Sequence, residues 1–477
     1  MVRRALRALL ILVCSTPLAA QSAAPAAEST SEPRRPSYTD RRFDEDWSVL
    51  RGDGVSGPKD IWDRLKFIPL TDSEQVWLTL AGQIRGREEH VRQFQFGQSQ
   101  PAQSDSYALS RIRLSADLHA SRYVRVFAEA KSSLATRREL SGGDSTSFVD
   151  SIDLQNAFAD VMVPLRGKAT FALRGGRQEL LFGAQRLVGP SDYSNVRRTF
   201  QGVSGILATG SWSVTPFWTE LVVVRPHAFD NQASPGHKLY GVYASRADTD
   251  AVTSDMYWLA VDNATATFNG RSGRERRHTA GGRLSRAAAK ARADFEVEAA
   301  AQFGTLGASQ IRAGMLSLNG GYTLASRLTP RFFATMDFAS GGGDVGGRVG
   351  TYNQLYPTGH AYQGNTDYIG RQNILSPSAG VSLQPAAHLS VSAMHYYFWR
   401  ASVHDGLYNY SGTVLRPGAG STARYVGAET DLVATYQFDR HLLGYASYNH
   451  FYPGDFIHKT GSARHSDYVY GALQYTF

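Results

Sequence analysis

The sequence has a single cysteine, Cys14, which excludes a disulfide scaffold and a thiolate metal centre. Beyond the N-terminal residues it has no run of 18 apolar residues, so no later segment reads as a membrane-spanning helix. It has no basic run, zinc spacing or helix-turn-helix pattern, so its positive charge does not point to nucleic acid. It also has no nucleophile elbow and no metal-ligand spacing. We therefore expect no enzyme, no cofactor and no metal.

What is present is 477 residues rich in glycine (46), tyrosine (24) and phenylalanine (23), with a formal net charge of +8. Mean hydropathy is −0.31. Many short strands, glycine turns and aromatic girdles have this composition, and barrels commonly exceed ordinary domain length.

Arg3, Arg4 and Arg7 precede a short apolar core, Ala8 to Val13, and Leu18-Ala19-Ala20 ends in small residues before Gln21. This is the pattern of a cleaved signal peptide over residues 1–20. Cys14 lies inside it, and Val13 before it argues against a lipoprotein. Residues 21–70 read as a flexible, periplasmic leader. Ser22–Pro36 is rich in Ala, Ser, Glu and Pro, and Asp40–Leu70, which carries Trp47, Trp62 and Phe67 among charges, is expected to cap or lead into the barrel from the periplasm. Residues 71–477 read as a barrel pore domain.

From Val76 onward apolar and polar residues alternate. Leu78, Leu80 and Ile84 share one face, with Thr79, Gln83, Arg85 and Arg87 on the other. Ile112 and Leu114 oppose Arg111 and Arg113, and Val124 and Val126 oppose Arg125. Period two means strands. Long polar loops alternate with short turns. Val91–Ser106 precedes Ala120–Arg122, and Ser133–Ser151 precedes Pro164–Lys168. Later turns fall near Thr209–Ser211, Ala247–Asp250, Ser326–Thr329, Pro385–Ala387 and Asp439–Arg440. Long loops fall near Gly183–Thr199, Arg225–Gly236, Ala339–Ser376, Ala401–Ala423 and Phe451–His465. The spacing predicts an all-β transmembrane antiparallel barrel of about 18 strands, with short periplasmic turns and long extracellular loops. The chain closes on Tyr468–Phe477, alternating and ending in an aromatic, as a signal for the barrel assembly machinery does.

A charge facing lipid near the midplane costs about 2–4 kcal/mol, so Arg85, Arg87, Arg111, Arg113 and Arg125 are expected inside. Inside a wide barrel they line an anion-attracting channel. The alternative is a bracing ladder of ion pairs with inward acids such as Asp117, Glu129, Glu296, Glu298, Glu429 and Asp431.

Two stretches are more specific: GRQELLFGAQRLVGPSDYSNVRRTF over Gly176–Phe200 and YPTGHAYQGNTDYIGRQNI over Tyr356–Ile374. With the leader, the strand count and the ending GALQYTF, the chain resembles the alginate export family of outer-membrane barrels. The resemblance implies an 18-stranded barrel that passes an anionic uronic-acid polysaccharide along an arginine-rich lumen gated by loops. On the first motif it implies roles for Arg177, Gln178, Glu179, Arg186, Arg197 and Arg198. On the second it implies roles for His360, Asp367, Arg371 and Asn373. The partners implied are an anionic polysaccharide or small anionic solute, outer-membrane lipid and periplasmic export partners, with the protein itself a monomer.

Three rivals stand beside this reading. An uptake porin for small organic or sugar acids shares the basic lumen. An outer-membrane enzyme has candidates in His395, His404, His450 and His465 with Asp405, Asp455 and Asp467, but no nucleophile motif. A closed adhesin barrel fits the Gly-rich loop Ala339–Gly350.

Overall fold

Alternation along the chain becomes alternation across a wall. A computed structural model of the protein describes residues 35–52, 55, 59–165, 167, 169–248, 251–342 and 347–477. The expected signal peptide, and the leader as far as residue 34, lie outside the described residues. Eighteen antiparallel strands follow in chain order. They are β1 (Trp77–Arg92), β2 (Asp105–His119), β3 (Val124–Ala135), β4 (Asp150–Pro164), β5 (Thr170–Gln178), β6 (Phe200–Thr209), β7 (Trp212–Val223), β8 (Gln232–Ala247) and β9 (Val252–Phe268). The rest are β10 (Arg271–Arg286), β11 (Arg292–Leu306), β12 (Ser309–Thr323), β13 (Arg331–Ala339), β14 (Ile374–Ala386), β15 (Leu389–Arg400), β16 (Tyr425–Gln437), β17 (Leu442–Pro453) and β18 (Ser466–Thr476). Each pairs with the next, and β1 closes on β18 from Gln83↔Thr476 to Arg92↔Asp467. A closed barrel satisfies every wall amide inside the protein, as hydrocarbon requires.

The two sides of the wall are unambiguous. On β2, Ile112 and Leu114 are 43% and 54% exposed, while Arg111 and Arg113 between them are 1% and 2% exposed. Outward Ile84, Val126, Val203, Met256 and Phe338 continue the apolar exterior. The parity read from the sequence therefore holds. Both ends of the strand series lie at the short-turn end. Two connections at the opposite end are also tight, Asn269–Gly270 and Gly307–Ala308. Asn269 (φ 48°) and Gly270 (φ 76°) both adopt the left-handed region that a two-residue hairpin turn requires. Alternating loop length thus breaks down there.

The lumen is not empty. Its outer half holds loops folded inward from the long-loop end. Phe96, Leu187, Val188, Phe200, Tyr352, Ile369, Phe398 and Phe456 form a buried apolar core within the barrel. A wide barrel leaves a channel only if its loops stay outside, and here apolar loop residues are buried against the wall instead.

The short-turn end is also occupied. Phe43 enters the lumen and packs edge-on against Phe127 and Phe158, at 5.4 and 5.1 Å. The carbonyls of Asp40 and Phe43 accept from Arg113 and Arg125, at 3.2 and 2.8 Å. Further along this arm, Trp62 stacks on Phe477 at 4.4 Å and donates to the Tyr475 hydroxyl at 2.9 Å. Lys66 is buried over the rings of Tyr38, Trp47 and Phe477 and donates to the Leu80 carbonyl. Residues 35–52 and 59–70 are thus built into the barrel mouth.

Candidate functional site: the wall arginines and the two interlocked loops

Inward arginines on β1–β3 face one another across strands. Arg85 lies opposite Arg111, Gln83 opposite Arg113, and Arg113 opposite Lys131. Like charges directly opposite are destabilising, so each needs a partner. Most find one on the wall. Arg113 pairs with Glu129 at 2.9 Å, Arg125 grips Asp117 at 2.6 Å, Arg87 pairs with Glu89 at 2.7 Å and Lys131 with Asp150 at 2.9 Å. Among the described residues, Arg85 and Arg111 find no wall carboxylate. Their carboxylate is Asp192, from the loop 179–199 between β5 and β6.

That loop is a plug. Arg111 donates to the Asp192 carboxylate at 2.8 Å and to its carbonyl at 2.9 Å, and takes Gln83 Oε1 as a further acceptor. Arg85 donates to the carbonyls of Asp192, Tyr193 and Ser194. Arg197 joins Asp192 from the other side and is held by Glu179 through two hydrogen bonds of 2.8 and 2.6 Å. Burial alone would raise the Asp192 carboxyl, but Arg111, Arg197 and Arg85 outweigh it and hold the group well below the usual carboxylate range. Arg87 lies 4.0 Å over the Tyr193 ring.

The loop 340–373 between β13 and β14 interlocks with it. Arg198 donates to the carbonyls of Gly189, Tyr356 and Pro357. The His360 imidazole stacks on Tyr193 and meets Asp367 at 3.0 Å. Two wall acids on β16 hold the same loop. Glu429 accepts from the Thr366 amide at 2.8 Å and from its hydroxyl at 2.6 Å, and Asp431 accepts from the Asn365 amide at 3.1 Å. The two specific sequence stretches are therefore one structural unit.

Beside the plug lies a cavity of about 1020 Å³. Its lining runs from Gly210 and Ala288, at turns of the short-turn end, up to His360 and Tyr362 under the loop roof. Arginines line it, and four of them are held by acids of the wall strands. Arg174 pairs with Asp160, Arg186 with Glu296 and Glu298, Arg283 with Asp255 and Glu296, and Arg331 with Asp294. Tyr243, Tyr362 and Trp212 add aromatic surface.

Of the ten candidate residues, Arg186 and Glu179 border this cavity. Arg85, Arg87, Arg111, Arg113 and Arg125 stand on the inner wall beneath the plug and the arm. Arg177 braces the rim, donating to Asp153, the Leu154 carbonyl and the Asn231 carbonyl. It departs from the lumen set because the inward positions of β5 are Arg174 and Gln178, both buried. Arg371 meets Asp337 at 3.2 Å, and its guanidinium lies 5.1 Å from the Tyr362 ring centre. Asn373 joins two loops, donating to the carbonyls of Ser402 and Gly406 and accepting from the Ser402 amide. Sequence reasoning missed Asp192, Tyr193 and Tyr362. All three lie within the two quoted stretches, but an acid and two tyrosines have no periodic signal in a loop. Of the enzyme candidates, His450 contacts Asp467 and His465 at the loop-side rim, and His395 contacts Thr430.

Known proteins agree with this architecture. OccK8 (OprE) of Pseudomonas aeruginosa superposes with a TM-score of 0.55 at 11% identity, over 84% of this chain and 98% of that one. OccAB2 of Acinetobacter baumannii gives 0.56 at 10%, over 83% and 98%. OccK2 (OpdF) of P. aeruginosa, solved in complex with glucuronate, also gives 0.56 at 10%, over 83% and 98%. At such identity these likenesses speak to the fold alone. No curated protein matches the chain. The model of the alginate export family matches residues 76–471, the whole barrel but its last residues. A closed 18-stranded outer-membrane barrel, with a charged lumen and two interlocked loops built from the two motif stretches, thus belongs to the alginate export family.

Proposed function

We propose that this outer-membrane pore exports an acidic polysaccharide of the polyuronate kind, taken up at the short-turn, periplasmic end and released past the folded loops. The cavity carries the proposal. Its lining runs from the short-turn end to the loop roof, which supports loading from the periplasm and closure on the outer side. Its volume lies at the upper limit for small-molecule sites, which suits several sugar units better than one. Planar guanidinium forks suit uronate carboxylates, and tyrosine faces suit sugar rings. Arginines that already share an acid bind a passing carboxylate moderately, which lets a polymer move on.

The candidate pore residues fall into three proposed groups. Arg186 and Glu179 meet the polymer in the cavity. Arg85, Arg87, Arg111, Arg113 and Arg125 meet it once the plug withdraws, and Arg177, Arg371 and Asn373 set loop position. The strands close without a second chain, so we propose a monomer, inserted by the barrel assembly machinery and supplied by periplasmic export partners.

A second reading is uptake of small organic or sugar acids, favoured by the fold shared with a channel solved in complex with glucuronate. Transport in liposomes distinguishes the two. Retention of polyuronate with free passage of monomeric uronate would favour uptake, and release of the polymer supports export.

A further inference from the structure

We propose that Asp192 is a built-in stand-in for the transported carboxylate, and that the wall arginines Arg85 and Arg111 form the anion site it occupies, with Arg197 of the same loop holding Asp192 in place. This rests on the reading of the pore as a conduit for acidic solutes and adds how that pore is kept shut. Arg85 and Arg111 lie opposite one another in register on β1 and β2. Among the described residues, Asp192 is the carboxylate that pairs with either. Their neighbours differ. Arg87, Arg113 and Arg125 each have an acid fixed on a strand, Glu89, Glu129 and Asp117. A wall that needed only bracing would carry its own acid at this position too. Instead the counter-charge comes on a loop.

The contact has the form of a bound ligand. Arg111 directs one nitrogen to the Asp192 carboxylate and the other to its carbonyl, while Arg85 gathers three successive carbonyls, those of Asp192, Tyr193 and Ser194. Arg197 reaches the same carboxylate while Glu179 fixes it in place. Three guanidinium groups thus converge on one carboxylate and adjacent oxygens, which is also what a uronate offers through its carboxylate and hydroxyls.

Withdrawal of the loop leaves two facing guanidinium groups without a wall acid. That open state is costly unless an anion replaces Asp192. An acidic polymer therefore favours opening by competing for the nest, whereas a neutral polymer has no differential affinity for the open state.

The experiment uses the full chain refolded into planar bilayers, with trigalacturonate as probe and maltotriose as neutral control. In Asp192→Asn the half-blocking concentration of trigalacturonate should fall at least tenfold below wild type, with maltotriose unchanged. Replacing Arg85 and Arg111 by Gln in that background should remove the gain. An unchanged half-block, or an equal gain for maltotriose, overturns the proposal while leaving the acidic-solute reading intact. Wild-type current indifferent to every uronate overturns both. Ser194→Cys, which keeps Asp192, decides the matter should Asp192→Asn fail to insert. Trigalacturonate should speed its labelling by a membrane-impermeant maleimide at least threefold, and an unchanged rate overturns the proposal.

Discussion

The Tyr193 ring lies flat on the His360 imidazole, with centroids 3.4 Å apart and planes 4° from parallel. One residue belongs to the loop after β5 and the other to the loop before β14, so this stack is a point at which the two plugs meet. A stacked pair of this kind contributes about 0.5–1.5 kcal/mol beyond area burial. Tyr193→Ala should therefore loosen both loops at once and raise mean single-channel conductance. His360→Ala should do the same, and the double variant should add little to either alone. Fully additive effects would mean that the two loops act separately.

The arm residue Phe43 packs edge-on against the stacked rings of Phe127 and Phe158 and borders the cavity. Truncation of a buried phenylalanine costs about 3–5 kcal/mol. Phe43→Ala should free the arm, raise conductance and make residues 35–52 more sensitive to protease, while the barrel keeps its heat-modifiable mobility on gels. An arm as resistant as wild type would show that its other contacts suffice.

Docking of the arm should also depend on pH. Burial pushes the Lys66 ammonium down from 10.5 to about 8, against the pull of Glu45 and Asp60 and with the push of Arg42 and Arg440. The docked arm then binds fewer protons than the free arm between those values, so docking strengthens as pH rises from about 8 towards 10.5. Protease cleavage of the arm, corrected for the enzyme's own pH response on unfolded chain, should be slower at pH 9.5 than at pH 7. A faster rate at pH 9.5 would reverse the assigned sign.

Arg113 and Glu129 separate bracing from conduction. Both are buried, and Arg113→Gln leaves Glu129 with the Asn156 amide but no cation. Breaking one half of a buried pair costs about 3–5 kcal/mol, whereas replacing both halves with apolar residues is near neutral. The single variant should lower the midpoint of thermal unfolding, and Arg113→Met with Glu129→Leu should restore it. Reduced anion preference in the stable double variant assigns Arg113 to conduction, and unchanged preference assigns it to the frame.

The wall was legible in the sequence because burial there is strictly periodic. Arg111 and Ile112 differ by one position and point to opposite solvents, so parity alone places them. The short turns were legible for the same reason, until Asn269–Gly270 and Gly307–Ala308 put tight hairpins among the long loops. The plug was not legible. Asp192 lies 107 residues from Arg85 and 81 from Arg111 along the chain, and no local pattern in a loop reports a contact of that range. The arm was half legible. Trp47, Trp62 and Phe67 marked residues 40–70 as something other than a linker, but the packing of Phe43 on the stacked inward phenylalanines of β3 and β4 needed three dimensions.

Single-channel recording of the refolded protein, with a salt gradient and polygalacturonate added to one side at a time, tests the central claim most directly. The predicted result is an anion-preferring current that polygalacturonate blocks more strongly from the short-turn side than from the long-loop side. A current without anion preference, or one that a neutral polymer of equal size blocks as well, would contradict it.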